Sequence, residues 1–295
     1  MFHPSDHNIE MSEEEFRLLR DFIHEQLGLF FDDSQRGSLR SRLAGRLASL
    51  GLASFEDYYH YLRFGPQHVQ ERDRMAANVT NNETYFYREM PQLQVFADPV
   101  LKGLKDRKTA RDDRTIRILS AGCSSGEEAY TLAMIAYDSG LFFWNWEVQV
   151  MAMDVDMPAL EKARRAVYHP NSFRSIRPPI VEKHFVKEAG GARVKDAIRK
   201  MVRFRQGNIV DPASYEGLPP MDAIFCRNVL IYFSDAMILK VVKLFHGAMA
   251  PGGHLFLGHA ESLSRITDLF TPIRFQGAMA YQKADGAAAR PAAAS

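Results

Sequence analysis

One segment constrains the fold more than any other part of the sequence: residues 115–137, TIRILSAGCSSGEEAYTLAMIAY. A β-branched run is followed by a glycine-bearing turn and then by a helical pattern that opens on two acids. VQVMAMDVD and MDAIFCRNVLIYF have the pattern of further buried strands, with helical segments such as MPALEKARRAVY between them. Strands that alternate with helices predict a parallel sheet covered on both faces. We therefore predict an α/β domain over residues 113–284.

The residues before about 80 have a helical pattern instead. Ser12 precedes three glutamates, as an N-cap does, and Phe16, Leu19, Phe22 and Ile23 follow at helical spacing. A second pattern places leucines on one face and arginines along much of the remaining surface, namely Leu39, Leu43, Leu47 and Leu50 with Arg36, Arg40, Arg42 and Arg46. Ser54 begins a third pattern. These features predict a helical domain over residues 1–80, joined to the α/β domain by a linker over residues 81–112.

Three segments of the remaining chain have a pattern of their own. Residues 170–205 are rich in proline and charge around Gly190-Gly191, which predicts an insertion with its own small structure. In AMILKVVKLFHGAMAPGGHLFLGHAE we expect a helix, a Pro-Gly-Gly turn and a strand. Residues 285–295 are alanine-rich, which predicts a disordered tail.

Composition excludes several classes of protein. The chain has 295 residues, which suits two domains, and 37 Lys and Arg against 36 Asp and Glu, so a global basic field for nucleic acid is absent. Its two cysteines, Cys123 and Cys226, are too few for a disulfide framework and are expected to be free thiols. The first residues lack the pattern of a signal peptide, and no run approaches about 18 apolar residues, the length of a membrane span. We expect a cytoplasmic protein without membrane insertion.

The turn between Gly122 and Gly126 is the first candidate ligand site. Its small residues let a ligand approach the backbone at a helix N-terminus. Glu127 and Glu128 in the first helical turn would repel a pyrophosphate but not a ligand that has an amino group and a ribose. The alternative is an ordinary strand-to-helix turn whose acids interact with the helix dipole.

Other polar residues follow predicted strands. Asp154 ends VQVMAMD, where a carboxylate can accept hydrogen bonds from ribose hydroxyls, although such an acid can also cap a helix. Asn208 can bind an adenine edge or form a turn. Arg227 and Asn228 fall at the carboxyl end of a central strand, where open α/β sheets bind ligands. Tyr232 follows closely, as a site residue or a core tyrosine.

The segment NVTNNETYFYRE, residues 78–89, carries three aromatic residues and Arg88. An arginine here can pair with a carboxylate in bidentate fashion. The alternative is an interdomain connection with its aromatic rings packed inward.

Together these segments resemble the CheR family, which methylates glutamates on chemotaxis receptors. The matching pieces occur in family order over roughly residues 10–280: NVTNNETYFYRE, ILSAGCSSGEEAYTLAM, MDVD, KARRAVY, FRQGNIVDP, IFCRNVLIYF and APGGHLFLGHAESL. The resemblance implies an all-helical N-terminal domain and a Rossmann-like methyltransferase sheet that binds S-adenosylmethionine. It also implies that the insertion at about residues 170–205 is a small β-subdomain.

The resemblance implies site residues as well. The implied cofactor contacts are Asn82, Thr84, Arg88, Gly122, Glu128, Asp154, Asn208, Ile209, Arg227 and Asn228. Register favours Glu128 over Glu127. Arg88 and Tyr232 are the expected catalytic residues, and S-adenosylhomocysteine is the expected product. No metal is expected, because the histidines are scattered without ligand spacing.

The implied reaction forms a glutamyl methyl ester on the cytoplasmic domain of methyl-accepting chemoreceptors. A glutamate is already ionised near neutral pH, so no general base is needed. Arg88 is expected to hold the substrate carboxylate, and Tyr232 to orient it or shield the methyl group. Arg36, Arg40, Arg42 and Arg46 are expected to dock on an acidic receptor surface, unless that face is merely solvated. HFVKEAGGARVKDAI is short for binding a receptor tether, so we expect tether-independent action. We also expect a monomer.

Three rival functions are considered. A nicotinamide-dependent enzyme needs room for pyrophosphate, which Glu127 and Glu128 oppose. A cofactor-binding module that has lost catalysis should lack Arg88 or Tyr232, and both are present. The third is a small-molecule or nucleic-acid methyltransferase, and the near-neutral charge and the absence of an Asp/Asn-Pro-Pro-Tyr motif speak against nucleic acid.

Overall fold

The computed structural model describes residues 9–284, which form two compact units. The helical unit comprises the described chain up to Asn81 together with Val155–Met157 and Tyr232–Ser234. The sheet unit comprises Asn82–Asp154, Pro158–Ile231 and the described chain from Asp235 onward. No described helix is long and apolar enough to cross a membrane.

Four helices build the helical unit: α1 (Glu13–Leu27), α2 (Arg36–Leu50), α3 (Phe55–Phe64) and α4 (His68–Val79). Ser12 and Glu15 form a reciprocal capping box at the start of α1, as an N-cap serine followed by a glutamate in the first turn favours. Helices α1 and α2 end at Gly28 and Gly51, both with left-handed backbone. Ser54 caps α3, as predicted.

The helical core lies where the apolar spacing predicts it. Leu39, Leu43 and Leu47 of α2 are fully buried, and Leu50 is partly buried against the same core.

Glu71 of α4 is also fully buried, and the Arg46 guanidinium binds both of its carboxylate oxygens at 2.8 and 2.7 Å. A buried charge requires such pairing. Arg46 therefore has a partner inside this unit.

The sheet unit alternates helices and strands. In chain order its elements are α5 (Met90–Val95), α6 (Leu101–Ala110), β1 (Thr115–Ala121), α7 (Glu127–Asp138), β2 (Glu147–Asp154), α8 (Met157–Arg165), β3 (Val167–Tyr168), α9 (Pro178–His184), β4 (Phe185–Glu188), β5 (Gly191–Val194), α10 (Asp196–Arg199), β6 (Val202–Gln206), β7 (Met221–Cys226), α11 (Asp235–Ala248), β8 (Met249–Leu257), β9 (Phe270–Phe275) and β10 (Ala278–Lys283). The first residue of α8, Met157, belongs to the helical unit.

The main sheet has seven strands in the order β6-β2-β1-β7-β8-β10-β9. The first five are parallel, and β10 runs antiparallel to both β8 and β9. The strand order reverses direction at β1, which has β2 on one side and β7 on the other. Ligands of open α/β sheets bind at such a switch point, beyond the carboxyl ends of the strands. The predicted Rossmann-like fold is confirmed.

The insertion has different bounds from those predicted. A three-stranded antiparallel sheet in the order β3-β5-β4 begins at Val167, where MPALEKARRAVY was expected to remain helical. Val167 and Tyr168 instead pair with Arg193 and Ala192. The predicted end at residue 205 is wrong as well, because β6 pairs with β2 in the main sheet.

Two further expectations need correction. The predicted linker, residues 81–112, folds into α5 and α6, and the Gln92 amide and Arg107 guanidinium donate to the carbonyls of Leu257 and Gly252. The expected Pro-Gly-Gly turn lies inside β8 instead of preceding it. The pairing of β8 with β7 shifts register here, so the strand continues through the Pro-Gly-Gly residues. The alanine-rich tail, predicted to be disordered, lies outside the described residues.

Candidate functional site

The turn after β1 is fastened to the end of β2. The backbone N–H groups of Gly122 and Cys123 donate to the Met153 carbonyl at 2.8 and 3.1 Å. The next N–H, of Ser124, donates to the Asp154 carboxylate at 2.7 Å. Asp154, predicted to bind ribose, is therefore also the residue that fixes this turn.

Two glycines of the turn have positive φ and lie against other chain segments. Gly122 has a φ of 78°, and a Cβ there would lie 2.6 Å from the Val229 side chain. Gly126 has a φ of 91°, and a Cβ there would lie 2.8 Å from that of Ala163. Neither position accepts a side chain without strain or displacement. The turn thus packs tightly against both α8 and the residues that follow β7.

The two acids that follow the turn point in different directions. Glu127 is almost fully buried and accepts hydrogen bonds from Ser125 Oγ at 2.7 Å and Ser172 Oγ at 2.9 Å. Glu128 accepts from Ser120 Oγ at 2.7 Å and pairs with Arg227 Nη1 at 3.2 Å. Burial raises the pKa of Glu128, and Arg227 and Ser120 oppose that shift. Glu127 therefore joins the turn to the chain after β3, whereas Glu128 lies at the end of β7.

Arg227 connects the end of β7 to the segment before α5. Its side chain is buried and donates through Nε to Gln92 at 3.0 Å and through Nη1 to Glu128. Nη2 donates to the Arg88 carbonyl and lies 3.3 Å from a Glu89 carboxylate oxygen. Sequence reasoning placed Arg227 among the cofactor contacts, and that role stays a prediction. The structure shows that its guanidinium organises the protein around the site.

Asn228 is held in a conformation that few residues adopt. Its φ is 61°, in the left-handed region that asparagine tolerates better than most residues. Its side-chain Nδ2 donates to Glu89 at 3.0 Å. Its Oδ1 is buried and, among residues 9–284, has no hydrogen-bond partner. Buried acceptors are rarely left unpaired in native proteins, so this atom indicates a place for a ligand donor.

Two carboxylates that sequence reasoning missed complete this region. Glu89 accepts from Asn228 and from His259; these bonds, with the Arg227 charge, hold its pKa below the usual value although burial acts to raise it. Glu261 is buried and accepts four backbone N–H groups from the ends of β7 and β8. For Glu261, the only signal in the sequence is that GHAESL places an acid just after a buried strand.

The segment that carries Arg88, the predicted catalytic arginine, is anchored by an aromatic cluster around Phe86. Phe86 is fully buried, and its ring packs against those of Tyr168, Phe173 and Phe185. Arg88 is half-buried, and its Nη1 donates to the Glu83 carbonyl at 2.8 Å.

The other predicted contacts of this segment have different surroundings. Asn82 is exposed, and its carbonyl accepts from Ser124 Oγ at 3.3 Å, which brings the segment to the glycine turn. Thr84 is half-buried. Arg174, which the sequence did not single out, pairs with Glu83 at 2.9 Å and stacks 3.8 Å from the Tyr85 ring centre.

The segment after β6 forms a turn. Asn208 Oδ1 accepts from the Val210 N–H at 3.2 Å, and the Asn208 N–H donates to Ser214 Oγ at 2.8 Å. Ile209 is buried, and its carbonyl accepts from the Tyr215 hydroxyl at 2.8 Å. Turn chemistry, the alternative raised from the sequence, is present. The role of Asn208 and Ile209 at the adenine stays a prediction.

The remaining predicted residues belong to the helical unit. The Tyr232 hydroxyl accepts from Asn81 Nδ2 at 2.9 Å, and its catalytic role stays a prediction. Within α2, Arg42 donates to the Val79 carbonyl at 2.7 Å, Arg40 pairs with Glu10, and Arg36 is exposed. Receptor docking by these arginines also stays a prediction, although Arg42 and Arg46 have partners within the unit.

The site residues fit a ligand rich in hydrogen-bond donors. Three acceptors lie at the neighbouring strands β2, β1 and β7: Asp154 ends β2, Glu128 in the first turn of α7 accepts from Ser120 of β1, and Asn228 Oδ1 follows β7. S-adenosylmethionine offers an ammonium group and two ribose hydroxyls as donors. Within the described chain, no group of three or more His, Cys, Asp or Glu side chains is placed to hold a metal ion.

Comparison with known proteins identifies the family of this chain. Residues 82–279 match the family model described as "CheR methyltransferase, SAM binding domain", and residues 14–80 match "CheR methyltransferase, all-alpha domain". The chain is 36% identical over 276 residues to chemotaxis protein methyltransferase 2 of Vibrio cholerae, covering 93% of this chain and 94% of that protein. It is 32% identical over 268 residues to the chemotaxis protein methyltransferase of Escherichia coli, covering 89% of each. It is also 34% identical over 242 residues to the probable biofilm formation methyltransferase WspC of Pseudomonas aeruginosa, covering 81% of this chain and 55% of that protein.

Proposed function

Because this chain belongs to the CheR methyltransferase family, we propose that it methylates glutamate side chains on the cytoplasmic domain of methyl-accepting chemoreceptors. The donor is S-adenosylmethionine and the product S-adenosylhomocysteine. The resulting glutamyl methyl esters serve sensory adaptation in chemotaxis or a related pathway. The protein acts in the cytoplasm, as a monomer.

One observation carries the proposal: the acceptors Asp154, Glu128 and Asn228 Oδ1 are held at the neighbouring strands β2, β1 and β7, where the strand order of the sheet reverses. A nicotinamide dinucleotide would bring a pyrophosphate to the glycine turn, beside the Glu128 carboxylate. S-adenosylmethionine has no phosphate and presents donors instead. The arrangement therefore favours the methyl donor over the dinucleotide.

The chemistry requires alignment rather than acid–base catalysis. When bound, S-adenosylmethionine supplies an electrophilic methyl group on a sulfonium. The substrate glutamate is ionised near neutral pH, with a reference pKa of about 4.3, so this chain need not remove a proton. We assign Arg88 to hold that carboxylate, since the bond from Nη1 to the Glu83 carbonyl orients the guanidinium plane. Tyr232 orients the same group or excludes water from it.

Receptor docking is assigned to the basic face of α2. Arg36 is exposed, and the Arg40–Glu10 pair lies on the surface, where an acidic partner can compete for the guanidinium. Arg42 and Arg46 support the fold of the helical unit through the Val79 carbonyl and the Glu71 carboxylate. The short β4–β5 hairpin supports tether-independent recognition.

The test combines titration calorimetry with a transfer assay. Wild-type protein should bind S-adenosylhomocysteine and not NAD, and Asp154→Asn should weaken binding by about 2 kcal/mol, or about 30-fold, because one charged acceptor is lost. Glu216→Ala, an exposed acid of the sheet unit, is the control and should bind normally. Labelled methyl groups should then appear on receptor cytoplasmic fragments as base-labile esters. Binding of NAD, or transfer to a base-stable position, would contradict the proposal.

A further inference from the structure

Glu261 has an unusual set of partners. Its Oε1 accepts the backbone N–H groups of Val229 at 2.9 Å and Ile231 at 3.2 Å. Its Oε2 accepts those of Asn228 at 3.1 Å and Gly258. The residue is only 8% exposed, so these bonds replace water for a buried carboxylate. One side chain thus fixes the chain that follows β7 to the chain that follows β8.

The segment that Glu261 holds contains the strained residue Asn228. A left-handed φ at a non-glycine residue costs about 1–2 kcal/mol and persists only where surrounding bonds enforce it. Glu261 holds the backbone of Asn228 in this conformation by accepting its N–H, and Glu89 accepts from Asn228 Nδ2. With Nδ2 committed to Glu89, the Oδ1 atom must face the other way, where it is buried without a partner in the described chain.

We propose that Glu261 is a positioning residue for cofactor binding: by holding the backbone of residues 228–231, it presents Asn228 Oδ1 as an acceptor for a donor group of S-adenosylmethionine. The inference rests on the function proposed above. Glu261 itself need not touch the cofactor. Its effect passes through Asn228, and this distinguishes it from a carboxylate that only stabilises the fold.

The isosteric variant Glu261→Gln tests this role, because an amide cannot replace the carboxylate. Each carboxylate oxygen accepts two N–H groups, so in either orientation the amide turns its own NH₂ group toward one pair of donors. The loop must then shift, and Asn228 with it. We expect the Kd for S-adenosylhomocysteine to rise by about tenfold or more.

Strand β7 provides a matched control at its other end. Asp222 is 3% exposed, accepts from the Arg117 N–H at 2.8 Å and pairs with Lys108 at 3.0 Å. Asp222→Asn makes the same carboxylate-to-amide change in a buried network near the amino end of the strand. It should lower the melting temperature, as Glu261→Gln should, yet leave the Kd within about twofold.

A double-mutant cycle separates positioning from general destabilisation. In an Asn228→Gly background the side chain is gone and glycine accepts the backbone angle freely, so Glu261→Gln should change the Kd by less than about threefold. An unchanged Kd in the single variant, an equal effect in both backgrounds, or an equal effect of Asp222→Asn would overturn the inference. If Glu261→Gln does not fold, Glu261→Asp, which is too short to reach all four N–H groups, takes its place under the same criteria. Failure of the wild-type protein to bind S-adenosylhomocysteine would instead overturn the proposed function, and the inference with it.

Discussion

Replacing Arg227 by methionine removes a buried guanidinium while keeping an unbranched stem. The change leaves the Glu128 carboxylate without the partner at 3.2 Å and the Glu89 carboxylate without the one at 3.3 Å, and it removes the donor to Gln92. Breaking a buried ion pair from one side costs about 3–5 kcal/mol, because the remaining charge is left buried and uncompensated. We expect the free energy of unfolding of the sheet unit to fall by that amount at pH 7.5.

The penalty should depend on pH in a defined direction. In the wild-type protein the Glu89 pKa is lowered, so its contribution to stability is present above the ordinary carboxyl pKa and is lost as pH falls below it. Without Arg227, burial and mutual repulsion should raise the Glu128 pKa further above its ordinary value and should raise the Glu89 pKa from its lowered value. Acids with a raised folded pKa bind protons more tightly in the folded state, so the variant regains stability as pH falls toward 5.

Tryptophan fluorescence in guanidinium chloride measures this unit selectively. Both tryptophans of the chain, Trp144 and Trp146, lie in the sheet unit. Lys102→Met breaks an exposed ion pair with Asp98 in the same unit and should cost less than about 1 kcal/mol. A loss below 1 kcal/mol for Arg227→Met, or the same loss at pH 7.5 and pH 5, would refute the reasoning.

Two further substitutions test packing in each unit. Gly126→Ala adds a methyl 2.8 Å from the Ala163 side chain at a φ of 91°, and should lower the free energy of thermal unfolding by about 2–4 kcal/mol. Its control is Gly190→Ala, at a φ of 86° with open space around it, which should cost only the backbone strain of about 1–2 kcal/mol. Equal costs would mean that the turn relaxes around the added methyl. Arg46→Met removes both guanidinium bonds to the fully buried Glu71 carboxylate, which keeps only the Tyr58 hydroxyl at 3.0 Å and the exposed Arg74 guanidinium at 3.4 Å; it should destabilise the helical unit by about 2–3 kcal/mol, measured by hydrogen exchange of its amides. The exposed pair broken by Arg17→Met should leave that exchange nearly unchanged, and a comparable loss there would contradict the assignment.

Local signals explain what the sequence predicts well. The Ser12 cap, the buried leucines of α2 and the polar residues that follow β2 and β7 depend on spacing within one element, which the chain shows directly. Val167 and Tyr168 were assigned to a helix because their strand exists only through pairing with residues some 25 positions later. The same limit applies to the predicted linker, whose helices are held by distant carbonyls such as that of Leu257.

Two carboxylates at the site, Glu89 and Glu261, were missed for a related reason, and the effect of the site's carboxylates on the backbone indicates the site independently of family. Of seven non-glycine residues with positive φ in the described chain, four lie in the three segments that meet here: Tyr87, Glu89, Ser124 and Asn228. Each strained residue costs about 1–2 kcal/mol, so their grouping requires bonds that enforce it. Asp154 holds the backbone conformation of Ser124, and Glu261 holds that of Asn228, in both cases by accepting backbone N–H groups. Almost every residue carries a backbone N–H, so the sequence does not show which of them a carboxylate will bind. These bonds nevertheless decide where the acceptors of the site point.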